Sequence, residues 1–187
     1  MTAEEIINAA PDAVILAVGS DPLALPLPGL DQDNVVSGRD VLSGAHCGER
    51  IVVCGGGQVG IETALFLEEQ NKHVELIEMT DKLAADAGPL NHARLLRELY
   101  DNNITVYPLT KLLRVEGSNV VVDRDGEQLN LEADTVVLAL GARPRSELEK
   151  ALNESSYNGE IIKVGDCIRA GRILDATADG AAVALKI

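Results

Sequence analysis

The run Gly55-Gly56-Gly57-Gln58-Val59-Gly60 constrains this chain more than any other feature, because of what stands on either side of it. Before it, Ile51-Val52-Val53-Cys54 is a short apolar stretch rich in β-branched residues, which predicts a buried strand. After it, Ala64, Leu65 and Leu67 supply the apolar contacts of a helix expected over roughly Gly60–Gln70, closed by Asn71. His73 to Glu78 then predicts the next strand. A GxGxxG alone is a weak signal. Placed between a strand and a helix, inside a segment of about 30 residues, it is the signature of a nucleotide-binding βαβ unit.

Each glycine has a physical task in such a unit. Gly55 makes the tight turn, Gly57 lets the backbone approach a pyrophosphate, and Gly60 allows the helix to pack close to the strand. Gln58 and Val59 belong to the same cofactor-binding turn, where the helix N-terminus offers free N–H groups and partial positive charge to phosphates. Glu78 ends the second strand, 18 residues after Gly60. An acid there can accept hydrogen bonds from ribose hydroxyls and repels a 2′-phosphate, and Lys82 is the only cation nearby. NAD(H) is therefore favoured over NADP(H). Glu62 falls in the first helical turn, where an acid complements the helix dipole without needing another role.

The rest of the chain reads as α/β. Met1–Ala10 predicts a short helix and Ala13–Val18 a buried strand stopped by Gly19. Pro22, Pro26 and Pro28 make the following stretch an extended connector, and a helical turn is expected near Asp40–Ser43. A second amphipathic helix is expected over about Leu90–Asp101, with Ala93, Leu96 and Tyr100 as its apolar face. Ile104–Tyr107 predicts a third strand. The period then drops to two, and Leu112–Glu116, Val120–Asp123 and Gln128–Glu132 predict a three-stranded antiparallel meander turned at Gly117-Ser118 and Asp125-Gly126. Thr135–Leu140 is a further buried strand, and the tail holds a strand at Glu160–Val164 and a small-residue helix from about Asp175 to Leu185. Asp12-(six apolar residues)-Gly19-Ser-Asp-Pro22 is echoed by Asp134-(six)-Gly141-Ala-Arg-Pro144, which suggests two nucleotide-binding folds, one nested in the other. The expected organisation is a partial flanking fold over 1–48, the nucleotide-binding domain over 49–145, and the remainder of the flanking fold over 146–187.

Composition narrows the partners. Thirty acids against 16 bases give a formal charge of −14, a surface that repels nucleic acid and anionic membrane. A nucleotide must then be held by local backbone geometry rather than by bulk charge. No apolar run approaches the ~20 residues of a membrane helix, and no signal pattern opens the chain, so a cytoplasmic location is the simplest reading. Cys47, Cys54 and Cys167 are odd in number and widely spaced, which argues against a disulfide framework, a zinc site or a dithiol centre. His46, His73 and His92 pair with no Cys or Ser at a suggestive spacing. No catalytic residue is assigned.

In order, the strand ending at Gly19, the Gly55–Gly60 run with Glu62, the Gly141-x-Arg143-Pro144 turn and the terminal Gly165-Asp166 resemble the two-dinucleotide-domain flavoproteins of the pyridine nucleotide-disulfide oxidoreductase superfamily. Asp81-x-Leu83-Ala84-x-Asp86, Pro89-Leu90 and Arg172–Ala176 bring the resemblance closest to the C-terminal half of the 2,4-dienoyl-CoA reductase and trimethylamine dehydrogenase group. These are NADH:flavin oxidoreductases of the old-yellow-enzyme type. The resemblance implies that Gly55, Gly57 and Gly60 hold the pyrophosphate and Glu78 the ribose. It further implies that Glu62 shapes the nicotinamide end, that Gly141 with Arg143 lines the nicotinamide side, and that Asp166 faces a flavin ribityl chain. The group's FMN barrel, its iron–sulfur cysteines and the first glycine-rich turn of its FAD-like fold have no counterpart in this sequence.

The function expected is an NAD(H)-binding domain that passes hydride from NADH to a flavin, FAD or FMN, held mainly outside this chain. Its partner would be the rest of the flavoenzyme, the FMN barrel and first FAD-like half, and FAD binding by this chain itself would be weak. A non-enzymatic NAD(H)-sensing module and an assembly subunit of a split flavoprotein are the alternatives, and the oligomeric state is left open.

Overall fold

The computed structural model describes residues 1–186. In chain order the elements are α1 (Ala3–Ala9), β1 (Ala13–Leu16), β2 (Ser20–Pro22), β3 (Val35–Ser37), α2 (Gly38–Leu42), β4 (Arg50–Cys54), α3 (Gln58–Glu68), β5 (His73–Ile77), α4 (Pro89–Asp101) and β6 (Thr105–Tyr107). They continue with β7 (Thr110–Glu116), β8 (Asn119–Arg124), β9 (Glu127–Glu132), β10 (Thr135–Leu138), β11 (Ala142–Pro144), α5 (Glu147–Asn153), β12 (Glu160–Lys163) and α6 (Ile173–Ala184). Two compact units result: Ala24–Gly141, and Met1–Leu23 together with the chain from Ala142 onward.

The larger unit is built on a parallel sheet of order β3-β10-β4-β5-β6. Its strands are short apolar runs because both faces are covered, and each face takes alternate residues. In β4, Ile51 and Val53 enter the core that faces α3 and α4, while Val52 and Cys54 enter the core on the opposite face. Val137 and Val136 of β10 divide in the same way. The second face is covered by the antiparallel β7-β8-β9 meander, through Leu112, Val115, Val120 and Val122. The layers are thus helices, parallel sheet and meander, the α/β Rossmann-like arrangement with an added antiparallel sheet that the sequence predicts.

The proline-rich connector belongs to this unit for a specific reason. Gln32 spans it: its side-chain amide donates to the Gly29 and Val115 carbonyls and accepts from the Gly117 N–H. The Val115 N–H donates to the Pro28 carbonyl. Gly29 has φ +79, and a Cβ there would sit 1.9 Å from the Val115 carbonyl oxygen, so the connector lies directly on the meander backbone. It leads into β3, which pairs in parallel with β10.

The smaller unit has a parallel pair, β1–β12, and an antiparallel pair, β2–β11, with Ile6, Leu16, Leu152 and Cys167 at its core. The tails of the two echoed segments pair with each other, Asp21 opposite Arg143 and Pro22 opposite Ala142. Pro22 is accommodated because a two-stranded ribbon leaves its nitrogen on an edge. No described helix is long and apolar enough to cross a membrane.

Three expectations need correction. The strand expected to be buried over Ala13–Val18 runs Ala13–Leu16, and within it Leu16 is buried while Ile15 is 50% exposed. The helix after the glycine turn begins at Gln58, not Gly60. The buried face of α4 is Leu95 and Leu99, with Leu96 partly buried, whereas Tyr100 is 68% exposed. Both stripes satisfy helical spacing, and packing of Leu95 and Leu99 into the core of the larger unit selects between them.

Leu99→Ala is expected to destabilise the protein by about 2–5 kcal/mol in urea unfolding, against ~0.5 kcal/mol or less for Tyr100→Ala. A second expectation concerns acid. Asp134, just before β10, is held below its ordinary carboxylate range by the Arg50 side chain and by the Arg50 and Glu49 N–H groups. Its stabilising effect is present above the unfolded-state pKa and is lost as pH falls through the lowered folded-state value. Asp134→Asn should flatten the decline in Tm below roughly pH 4.

Candidate dinucleotide-binding site

The C-terminal ends of β10, β4 and β5 lie side by side with β4 in the middle, and the chain leaves this centre in both directions. Open parallel sheets take ligands at such a switch point. The turn after β4 is pressed into it. Gly55 has φ +114, its N–H donates to the Ile77 carbonyl at 2.9 Å, and a Cβ on it would meet the Ala139 carbonyl oxygen at 2.3 Å. Gly57 is the N-cap of α3, so Gln58 and Val59 form the first turn and Gly60 lies inside the helix. A Cβ on Gly60 would fall 1.9 Å from the Gly55 carbonyl oxygen. No side chain fits at either position, which is the physical content of the first and third glycines.

Glu78 follows β5 and turns back onto this loop. Its Oε2 accepts from the Gly56 N–H at 2.7 Å, and its Oε1 accepts from the N–H and the hydroxyl of Thr80, both at 2.9 Å. The carboxylate is therefore oriented by the glycine turn and by Thr80 rather than left as a freely solvated strand end. Glu62 accepts from the Gln58 side-chain amide at 3.2 Å and lies 3.7 Å from an Arg94 nitrogen. Gly55, Gly57, Gln58, Val59, Gly60, Glu62 and Glu78 are thus gathered around one turn.

The remaining expected residues are placed otherwise. Gly141 ends the larger unit at φ +102, with open space where a Cβ would stand. Arg143 and Asp166 belong to the smaller unit. Arg143 lies exposed in β11. Asp166 sits in the short 3-10 turn Gly165–Cys167, accepting from the Ser20 hydroxyl at 3.2 Å and the Gly171 N–H at 3.1 Å.

Three features escaped sequence reasoning. Gly56 is enclosed as well: a Cβ there would lie 2.6 Å from Leu83 Cδ2 and 2.9 Å from Glu78 Cβ. Thr80 orients Glu78. Asp86, in the loop before α4, accepts from the Gln58 N–H at 2.8 Å and caps α3, which has no cap from its own N-cap residue. Gly56 and Asp86 stand inside motifs, the glycine run and Asp81-x-Leu83-Ala84-x-Asp86, but no spacing assigns their contacts or those of Thr80, because each is made by a loop folding back across the turn.

The three thiols are buried and unpaired, and burial pushes that of Cys54 up to about 12, which leaves it unreactive. Among the described residues no group of three or more His, Cys, Asp or Glu could hold a metal ion. Backbone N–H groups at the start of a helix are donors for an anionic group, and a carboxylate such as Glu78 is an acceptor for hydroxyls.

Gly60→Ala is expected to cost about 1–3 kcal/mol, since its Cβ must displace backbone. Gly57→Ala should cost less in thermal unfolding, since its Cβ meets only the Asp86 carboxylate, at 3.2 Å.

Comparison with known proteins agrees with this geometry. Residues 3–169 match the family model for pyridine nucleotide-disulphide oxidoreductases. An NADH oxidase of Thermoanaerobacter brockii is 34% identical over 99% of this chain, which spans 29% of that protein. A cinnamate reductase of Clostridium sporogenes is 33% identical over 92% of the chain, which spans 26% of it. In a 2-naphthoyl-CoA reductase solved with 2-naphthoyl-CoA, 28% of the structure matches all of this chain at a TM-score of 0.91 and 28% identity. Histamine dehydrogenase from Rhizobium sp. 4-9 shares the fold at a TM-score of 0.89 and 17% identity, matching all of this chain and 32% of its own. The chain spans under a third of the length of each of these relatives. With the glycine turn, its enclosing strands and a family match over most of its length, the chain belongs to the pyridine nucleotide-disulphide oxidoreductase family.

Proposed function

We propose that this chain is the NAD(H)-binding part of a flavin-dependent oxidoreductase and presents NADH to a flavin held mainly on residues outside it. The family and the similarity to an NADH oxidase point to NAD(H) and FAD as cofactors. The observation that carries the reading is the joint fixing of the glycine turn and Glu78. The turn is packed so closely that a Cβ on Gly55 or Gly60 would strike the backbone of Ala139 or Gly55, and the Glu78 carboxylate is hydrogen-bonded to the same turn at Gly56.

The residues fit the dinucleotide. Gly57 and the first turn of α3 would take the pyrophosphate with backbone N–H groups, so an acidic protein needs no cationic side chain there. Glu78 would accept from the adenosine ribose hydroxyls and repel a 2′-phosphate. Glu62 and Gly141 would border the nicotinamide end. When bound, NADH supplies the hydride, and the protein's part is to orient the nicotinamide and exclude competing reactions. The lack of an acid–base pair among the site residues suits that role.

Flavin fits this chain less well. In the smaller unit β1 leads through Gly19 into β2 rather than into a glycine-rich turn and a helix. The reading therefore assigns the flavin's phosphates to other residues. The large remainder of each relative's length is consistent with this, and the corresponding part of the enzyme is the proposed partner.

Calorimetric titration should show NADH binding more tightly than NADPH. Glu78→Gln should weaken NADH by roughly tenfold and narrow the difference, in line with loss of a charge-assisted hydrogen bond. Tighter binding of NADPH by the unaltered chain would refute the ribose assignment, and unchanged NADH affinity in Gly57→Val would refute the site.

A further inference from the structure

The loop from Met79 to Gly88 folds back over the dinucleotide cradle. It is pinned at its middle: Leu83 and Ala84 are buried, the Ala84 N–H donates to the Gly56 carbonyl at 2.7 Å, and His92 Nδ1 lies 3.0 Å from the Ala84 carbonyl oxygen. Beyond this anchor Ala87 packs half-buried against the core, with its N–H on the Ala84 carbonyl at 3.1 Å, while Ala85 and Asp86 are exposed and the Asp86 side chain turns in. Its Oδ1 accepts from the Gln58 N–H, the first of α3, at 2.8 Å. Both carboxylate oxygens also lie 3.2 Å from the point where a Cβ of Gly57 would stand. On the NAD(H) reading, that bare face of Gly57 is the one a pyrophosphate would approach.

We infer that Asp86 is an internal stand-in for phosphate, an autoinhibitory latch that a dinucleotide must displace before its pyrophosphate can seat. The inference rests on the NAD(H) reading of this site. Two anions cannot share one N–H donor, and at a few ångströms their repulsion adds to the conflict. The apparent affinity of the site is then lowered by the fraction of molecules in which Asp86 occupies it. Leu83 and Ala84 anchor the loop before Asp86 and Ala87 anchors it after, so release needs only the Asp86 side chain to turn away from Gln58. A latch of this kind keeps other anions off the α3 N-terminus until a dinucleotide displaces it.

The test uses NADH, ADP and adenosine, titrated against the unaltered chain, Asp86→Ala and Asp86→Asn. An exposed carboxylate at a helix N-terminus contributes modestly, so Asp86→Ala should bind NADH and ADP about two- to fivefold more tightly. Asp86→Asn should fall between it and the unaltered chain, and adenosine, which has no phosphate, should be unaffected. Hydrogen exchange at the Gln58 amide should quicken in ligand-free Asp86→Ala. Unchanged or weaker ADP binding in Asp86→Ala, with or without a lower Tm, would reduce Asp86 to a cap or a ligand-binding group and overturn the latch alone. Failure of all three proteins to bind either NADH or ADP would overturn the site reading and the latch with it.

Discussion

Everything at the candidate site depends on one close approach, that of the Gly60 Cα to the Gly55 carbonyl oxygen. A methyl group at residue 60 would stand 1.9 Å from that oxygen, so only glycine lets α3 begin this near the end of β4. The same closeness presses Gly55 against the Ala139 carbonyl at the end of β10. A short turn is thereby locked between two parallel strands, and the N–H groups at the start of α3 face the crevice beyond the sheet. The position of the turn follows from backbone alone.

The sheet that carries this turn is covered on both sides by different materials. Helices cover the face lined by Ile51, Val53 and Val137, while the meander covers the face lined by Val52, Cys54 and Val136. Alternation at every second residue lets two unlike layers share the same strands without competing for side chains. The meander in turn receives the proline-rich connector, clamped by Gln32, and so determines where β3 enters the sheet.

Acidity shapes the site as much as glycine does. Glu78 binds the turn at Gly56, and Asp86 binds it at Gln58, so two carboxylates are held by backbone N–H groups in a chain of net charge −14. Helix dipole and unpaired amides make such placements favourable where free cations are few. The result is a turn with two of its N–H donors, those of Gly56 and Gln58, occupied by the protein's own acids.

The glycine spacing, the apolar runs and the drop from helical to twofold period were enough, by themselves, to place the α/β class, the βαβ unit from Ile51 to Glu78 and the meander. These are local properties: a buried strand needs consecutive apolar residues, and a turn at positive φ or under a close contact needs glycine. The start of α3 was misplaced by two residues, because Gln58 and Val59 carry no signal that distinguishes a turn from a first helical turn. The buried face of α4 was misassigned, because the Leu95–Leu99 and Leu96–Tyr100 stripes are equally periodic and only packing against the sheet chooses between them. Pairing of β2 with β11, the path of the connector over the meander, and the contacts of Thr80 and Asp86 were decided by tertiary structure alone. Each joins residues that no spacing rule relates, and each exists because a loop must satisfy its polar groups on whatever backbone the rest of the fold has placed beside it.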